Sequence, residues 1–263
     1  MHVGSFYLPT YGVVLATAYL TGIWLLRRRA LREGLPEQKV FDLSLYILAA
    51  AILGAKLLLV VVEWKHYTQR PADLVDVLRS GGVFYGGLIA ATVVAIVYMK
   101  KHDLPAWRVT DMAAPSVALG EAIGRWGCFF AGCCYGKDWN GPWAVTFHDT
   151  FAHDQVGTPL GVELHPTQIY LSLNALVIFF VLQWAWKRRT FDGEIFCLYV
   201  LLYAISRGIL EIWRGDLVRG FVVRIGDQTN PAFLSTSQFI GLLAAAASIV
   251  LMIYLSRRQR QTA

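Results

Sequence analysis

A chain of 263 residues that is 56% hydrophobic and only 16% charged, with a mean hydropathy of +0.47, is too apolar for an ordinary soluble domain. Its net charge of +6 would suggest nucleic acid in a soluble protein, but the cations sit in short clusters beside apolar runs, as they do where a membrane protein fixes its orientation. Composition thus points to an integral membrane protein with no nucleic-acid partner, and the crowding of Cys128, Cys133 and Cys134 argues against a secreted disulfide framework.

Apolar segments long enough to cross a hydrocarbon core of about 30 Å recur near 9–27, 42–63, 82–99, 110–131, 166–186, 194–213 and 235–256. They predict an all-α membrane protein with seven transmembrane helices. The first run, Tyr11–Leu26, is followed by Arg27-Arg28-Arg29 rather than preceded by positive charge, so it reads as an uncleaved span and not a signal peptide. The clusters Arg27–Arg32, Lys100-Lys101, Lys187–Arg189 and Arg257–Arg260 all fall on one side of this layout. The positive-inside rule then puts the N-terminus outside and the C-terminus inside. The longest outward segment, 132–165, carries Trp139, Trp143, Phe147 and the run W-A-V-T-F, which predicts a short strand. It is expected to form a small extracytoplasmic head with aromatic side chains at headgroup level. No linker or repeat divides the chain, so 1–263 reads as a single domain.

Polar residues gather toward the outer ends of these spans. Residues 120–136 read G-E-A-I-G-R-W-G-C-F-F-A-G-C-C-Y-G. A charge at such depth costs a few kcal/mol unless paired or hydrated, so it marks a site. On a helix Glu121, Arg125 and Cys128 share one face, while Gly120, Gly124 and Gly127 beside it allow a helix or headgroup to come close. In the sixth span Tyr203, Arg207, Glu211 and Arg214 fall along one face. The third opens with S-G-G-V-F-Y-G-G, carrying Tyr85. The fifth opens with H-P-T-Q-I-Y, carrying His165, Gln168 and Tyr170, and Pro166 suits a first helical turn. Lys56 and Asp111 lie deeper or toward the inner side and are expected to be structural partners.

Two arginines on different helices near one interface suggest recognition of phosphate, which guanidinium meets in a bidentate way at any working pH. At that depth the phosphates are those of membrane lipids. Glu121 and Glu211 would hold the arginine planes. The plainer reading of the sixth span is an i,i+4 pair of Arg207 with Glu211 that supports the helix, with Arg214 snorkelling to the headgroups.

The same segments carry a family resemblance. G-R-W-G-C-F-F-A-G-C-C-Y-G resembles the signature G-R-[ILV]-G-N-F-[IL]-N-x-E-x-[YW]-G of the bacterial prolipoprotein diacylglyceryl transferases. S-G-G-V-F-Y-G-G-L-I is similar to that family's S-G-G-[ML]-[AS]-[FI]-H-G-G-L-[IL], and H-P-T-Q-I-Y to its H-P-[ST]-Q-[LI]-Y. Y-A-I-S-R-G-I-L-E-I-W-R resembles Y-x3-R-[FI]-x2-E-x2-R, and L-S-T-S-Q at 234–238 resembles [LM]-[ST]-x2-Q. The motifs keep their order across nearly the whole chain.

The resemblance implies transfer of the sn-1,2-diacylglyceryl group of phosphatidylglycerol to the lipobox cysteine thiol of a prolipoprotein signal peptide, at the outer leaflet of the bacterial cytoplasmic (inner) membrane. A thioether forms and glycerol phosphate leaves. No cofactor or metal is implied. By position, Arg125 and Arg207 match the family's two essential arginines, and Glu211 and Tyr203 match the flanking positions that hold the second arginine and the headgroup. Gly136 matches the glycine closing the signature, and Tyr11 aligns with a tyrosine of the first span. Glu121 and Arg214 complete the expected lipid site with Cys128.

The chain departs from the pattern twice. The family's histidine is Tyr85 here, and a phenol with a pKa of about 10 is a poor base near neutrality. The signature asparagine is Cys128, and the N-x-E after it is Ala131-Gly132-Cys133. The base must then be another group: His165 first, Glu121 second, or else the field of the arginines alone lowers the thiol's pKa. A divergent paralogue that binds headgroups without transfer, or uses another acceptor, is the alternative. Thiol or metal chemistry is a third reading, but the C-x4-C-C spacing fits no common zinc or redox pattern. A transporter would require a second polar half resembling an inverted repeat, which the sequence lacks.

Overall fold

A computed structural model describes residues 2–3, 6–7, 10–70, 73, 77, 82–215, 221–225 and 232–262. The long helices are α1 (Thr10–Arg32), α2 (Glu37–Val62), α4 (Phe84–Lys101), α5 (Ala106–Phe130), α7 (Thr167–Trp186), α8 (Glu194–Leu210) and α9 (Thr236–Thr262), with short α3 (Trp64–Gln69) and α6 (Thr150–Val156) between them. A 3-10 turn, Glu211–Trp213, prolongs α8. The strands among the described residues form antiparallel pairs: β1 (His2–Val3) with β2 (Phe6–Tyr7), β3 (Val145–Thr146) with β4 (Glu163–Leu164), and β5 (Phe221–Ile225) with β6 (Ala232–Ser235). The run W-A-V-T-F does supply a strand, β3.

Among the described residues five helical stretches are long and apolar enough to cross a membrane: Glu37–Val62, Phe84–Lys101, Thr167–Trp186, Glu194–Trp213 and Thr236–Gln259. They correspond to the second, third, fifth, sixth and seventh predicted spans. Helices α1 and α5, of 23 and 25 residues, have the length, but α5 carries Arg108, Asp111, Glu121 and Arg125. Apolar side chains cover the helix exteriors; Leu57 and Val250 are each 67% exposed. So much outward apolar surface requires lipid around it. The protein is a multi-pass membrane protein.

The chain forms two compact units, 26–109 and 1–25 with 110–263. In the smaller unit α2 and α4 pack through glycine and alanine. A Cβ on Gly54 would come 2.5 Å from the Gly86 carbonyl oxygen, one on Gly82 2.6 Å from the Ala55 Cβ, and one on Gly87 2.8 Å from the Ala51 oxygen. Small residues let two apolar helices approach where water provides no hydrophobic drive. The α4 glycines of the S-G-G-V-F-Y-G-G motif therefore serve packing; Ser80 and Gly81 lie outside the described residues. Lys56 donates to the Val77 carbonyl at 2.5 Å, a structural role as expected. On the cation-rich side, Arg27 pairs with Glu37 at 2.9 Å and Arg108 with Glu33 at 3.0 Å.

In the larger unit α1 runs antiparallel along α5. A Cβ on Gly22 would touch the Ser116 oxygen, one on Gly120 the Ala18 oxygen, and one on Gly127 the Tyr11 ring, at 3.3–3.4 Å. A Cβ on Gly124 would meet nothing within 4 Å among the described residues. Ala114, Ala118, Ile178, Leu182 and Ile195 make a core shared by α5, α7 and α8. Polar links stitch these helices: Ser172 Oγ to the Ala122 oxygen at 2.7 Å, Asn174 Nδ2 to Ser206 Oγ at 2.9 Å, and Ser248 Oγ to the Cys197 oxygen at 2.6 Å. Asp111, fully buried, accepts from the Gly193 and Phe196 amides, both at 2.8 Å. It thereby satisfies the orphan N–H groups at the start of α8 and, like Lys56, is structural.

Candidate functional site

The fourth- and sixth-span charges form two local pairs. On α5, Arg125 Nη2 donates to Glu121 Oε1 at 2.8 Å and Nε to the same oxygen at 3.3 Å. On α8, Arg207 Nη1 donates to Glu211 Oε2. Both are i,i+4 neighbours, and both arginine side chains are largely covered, at 19% and 14% exposure. A carboxylate four residues away fixes each guanidinium plane. Tyr203, one turn before Arg207, lies within electrostatic reach of Glu121, Arg125 and Arg207 at once. The arginines of the two helices thus border one polar region. Tyr199 stands beside it, with its ring 5.9 Å from Tyr203.

Glu211 is held a second time. Its other oxygen, Oε1, accepts from Ser237 Oγ at 3.1 Å in the first turn of α9. That turn is a capping box: the Gln238 amide donates to Ser235 Oγ at 3.1 Å, and the Ser235 amide donates to Gln238 Oε1 at 3.0 Å. Gln238 Nε2 also reaches the Gly208 oxygen at 3.1 Å. The sequence motif before the last predicted span is therefore a helix start tied to the end of α8.

Gly136 is the hub of the polar loops. Its amide donates to the His165 oxygen at 3.0 Å, and it forms an antiparallel bridge with Arg214. On either side, Lys137 N donates to the Trp213 oxygen at 2.9 Å and Gly215 N to the Tyr135 oxygen at 3.1 Å. A Cβ on Gly136 would come within 2.5 Å of both the His165 Cβ and its carbonyl oxygen, so no side chain fits. This contact brings the His165 and Arg214 backbones to opposite edges of one short extended segment. Arg214 is buried, 8% exposed, rather than snorkelling to the surface.

His165 stacks on Trp139 with centroids 4.5 Å apart and planes 7° apart. Its Nδ1 lies 3.1 Å from the Tyr170 hydroxyl, which accepts from Trp143 Nε1 at 2.8 Å. The Tyr170 oxygen can accept from His165 Nδ1–H as well, leaving Nε2 bare, or donate to Nδ1, leaving Nε2 protonated. Partial burial lowers the imidazole's pKa from its ordinary value, which favours the neutral form. Gln168 is fully buried; Nε2 donates to the Cys133 oxygen at 2.8 Å, and Oε1 has no partner among the described residues.

The three thiols converge. The sulfurs of Cys128, Cys133 and Cys134 all lie within 4.8 Å of one another. Two left-handed residues, Gly132 at φ 69° and Cys134 at φ 61°, reverse the chain just past α5. For a residue with a Cβ this conformation costs about 1–2 kcal/mol, and it persists because the surroundings over-determine it. Thr167 Oγ1 grips the Cys134 oxygen at 2.7 Å, and Thr158 Oγ1 the Gly132 oxygen at 3.0 Å. Hydrogen bonds from Cys128 and Cys133 hold the Cys134 thiol below its usual pKa, with Arg214 and Arg125 adding to the effect. Cys133 is pushed upward by its bonds to Cys128 and Cys134. Tyr11 packs on Gly127 within reach of Arg125 and all three thiols.

The family model described as prolipoprotein diacylglyceryl transferase matches residues 1–254. A phosphatidylglycerol–prolipoprotein diacylglyceryl transferase of Clostridium tetani is 37% identical over 240 residues, 91% of this chain and 90% of the relative. Proteins of the same name from Finegoldia magna and Geobacillus kaustophilus are 32% identical over 244 residues and 34% over 220. The chain belongs to the prolipoprotein diacylglyceryl transferase family.

It is therefore an enzyme, a transferase. Most of the candidate site residues singled out in the sequence occupy the larger unit: Tyr11, Glu121, Arg125, Cys128, Gly136, His165, Tyr203, Arg207, Glu211 and Arg214. Tyr85 belongs to the smaller unit, in the first turn of α4, half exposed, with its ring edge-on to Phe84 at 5.8 Å. The sequence reading missed Ser237 as the second anchor of Glu211 and Tyr170 with Trp143 as the partners of His165. The first had a signal in S-T-S-Q; the second joins α7 to a loop more than 20 residues earlier, and no local pattern encodes it.

Proposed function

We propose that the chain transfers the sn-1,2-diacylglyceryl group of phosphatidylglycerol to the lipobox cysteine thiol of a prolipoprotein. The supporting observation is the placement of Tyr203 beside both Arg125 and Arg207, each already locked to a carboxylate. In this reading the two guanidiniums bind the headgroup phosphate. They stabilise the charge that grows on it as the glyceryl C–O bond breaks and its electron pair leaves with glycerol phosphate. The acceptor thiol gives its proton to His165 Nε2, with Nδ1–H held by Tyr170, and the thiolate sulfur forms the new bond to glyceryl carbon. Arg214 adds positive field, and Gln168 Oε1 accepts a hydrogen bond from the substrate.

Two apolar clefts suit the acyl chains. One of about 270 Å³ is lined by Val14, Thr17, Ala122, Trp126 and Leu176 beside Arg125; another of about 370 Å³ is lined by Ala204, Gly208, Ile212 and Leu242 beside Arg207. With α1 and α5 also spanning, the chain crosses the bacterial cytoplasmic membrane seven times, N-terminus outside. The site then faces the outer leaflet, and 132–165 forms the extracytoplasmic head.

The deciding experiment incubates purified protein with glyceryl-labelled phosphatidylglycerol and a synthetic lipobox peptide. A thioether product with the cysteine peptide and none with its serine counterpart is expected. Lipid binding without product would favour the second reading, a headgroup-binding paralogue, which the replacement of the family histidine by Tyr85 supports.

A further inference from the structure

We propose that Cys128, Cys133 and Cys134 bind one zinc-class ion through three thiolates, with the fourth position open to the acceptor thiol. The part concerning the acceptor rests on the transfer reading above; the metal site does not.

Geometry carries the first part. Thiolates at about 2.3 Å from a tetrahedral ion stand roughly 3.8 Å apart, and all three sulfurs already lie within 4.8 Å of each other. The remaining adjustment is within the reach of side-chain rotation. The vicinal pair reaches this position because its backbone is pinned from outside. The Cys133 carbonyl is taken by Gln168, the Cys134 carbonyl by Thr167, and the Cys133 amide by the Cys128 oxygen at 3.1 Å. A soft, all-sulfur donor set selects zinc, cadmium or copper(I) over magnesium or calcium. Three thiolates on a divalent ion leave one net negative charge. Arg125 and Arg214 both lie within electrostatic reach of Cys134, and they offset that charge in a partly buried place.

Among the described residues no other His, Cys, Asp or Glu joins the group. Three protein ligands with water or substrate in the fourth position are the pattern of a catalytic metal site rather than a purely structural one. A thiol entering that position loses its proton to solvent or a nearby base and remains as bound thiolate. Its sulfur electron pair then forms the C–S bond while the C–O pair departs with glycerol phosphate, and the ion's oxidation state never changes. Such an ion offers a way to activate the acceptor in a chain that has Tyr85 where its family has histidine.

Cobalt(II) titrated into purified, reduced, metal-free protein tests both parts. We expect one equivalent bound with thiolate-to-cobalt charge-transfer absorption, lost in Cys133→Ala and in Cys134→Ala, and unchanged in Cys197→Ala. A lipobox cysteine peptide should shift the cobalt d–d bands, and the serine peptide should not. Absence of stoichiometric binding by the wild-type chain with all its thiols reduced overturns the proposal. So does recovery of Cys128 in a disulfide with either neighbour from protein purified without reductant. Binding with spectra indifferent to the cysteine peptide overturns the role of the open position. Transfer measured on the same preparation separates the readings: turnover that survives metal removal sinks the metal's role and leaves the transferase standing.

Discussion

Helices α2 and α4 meet through glycine and alanine with scarcely a charge between them, whereas α5 and α8 meet beside two arginines, two carboxylates and a tyrosine. Family motifs run through both places, so a motif is not by itself a site. In α4 the repeated glycines are explained by backbone contact, which any side chain would prevent. In α5 and α8 the charges are held in local pairs instead, and keeping two cations in a largely covered place costs desolvation. On the proposed reading, the difference separates residues that shape the fold from residues kept for the lipid phosphate.

The comparison breaks most sharply at the arginines. Arg125→Lys and Arg207→Lys should each lower transfer by at least about 100-fold, since lysine keeps the charge but cannot make the bidentate contact. Circular dichroism and melting temperature should stay near wild type; a variant that retains full turnover would remove that arginine from the phosphate. Gly54→Val should do the reverse. Overpacking against the Gly86 carbonyl is expected to cost about 1–3 kcal/mol, read as a lower melting temperature, while turnover per folded molecule is preserved.

His165 sharpens the contrast through pH. Its folded pKa is lowered by burial, so the neutral base persists below the ordinary histidine value of about 6.5. The acid limb of the transfer rate should fall below that pH and disappear in His165→Gln. Stability shows the matching sign: as pH drops past 6.5 the unfolded chain takes up the proton first, so this residue's share of stability declines until the folded pKa is passed. An acid limb unchanged in His165→Gln would assign the base elsewhere. The smallest effect belongs to Tyr85→Phe, expected to cost no more than about tenfold, the worth of a single hydrogen bond to the proposed substrate. Tyr85→His should raise transfer to lipobox peptides, and an unaltered rate would argue for a different acceptor.

The sequence made the local geometry legible and the rest obscure. Glu121 with Arg125, and Arg207 with Glu211, could be read because i,i+4 spacing on a helix needs no tertiary information. Asp111 and Lys56 were legible as structural partners for a related reason, since an intramembrane charge must find one. The C-x4-C-C spacing pointed away from any metal, because sequence patterns assume ordinary turns. What gathers the sulfurs is a left-handed residue at Cys134 held by Thr167, with Cys133 beside it held by Gln168, both from another helix. Gly136 could be matched to a motif, but its reason, a bridge wedged between His165 and Arg214, exists only in three dimensions.

The capping box at Ser235 has a reach beyond its own helix. Because Ser237 clasps the second oxygen of Glu211, Ser237→Ala would delete no charge, yet the carboxylate paired with Arg207 would lose one of its two anchors. If Arg207 grips the headgroup as proposed, the last helix acts as a splint for its neighbour, and Ser237→Ala should register first as poor substrate affinity rather than as collapse.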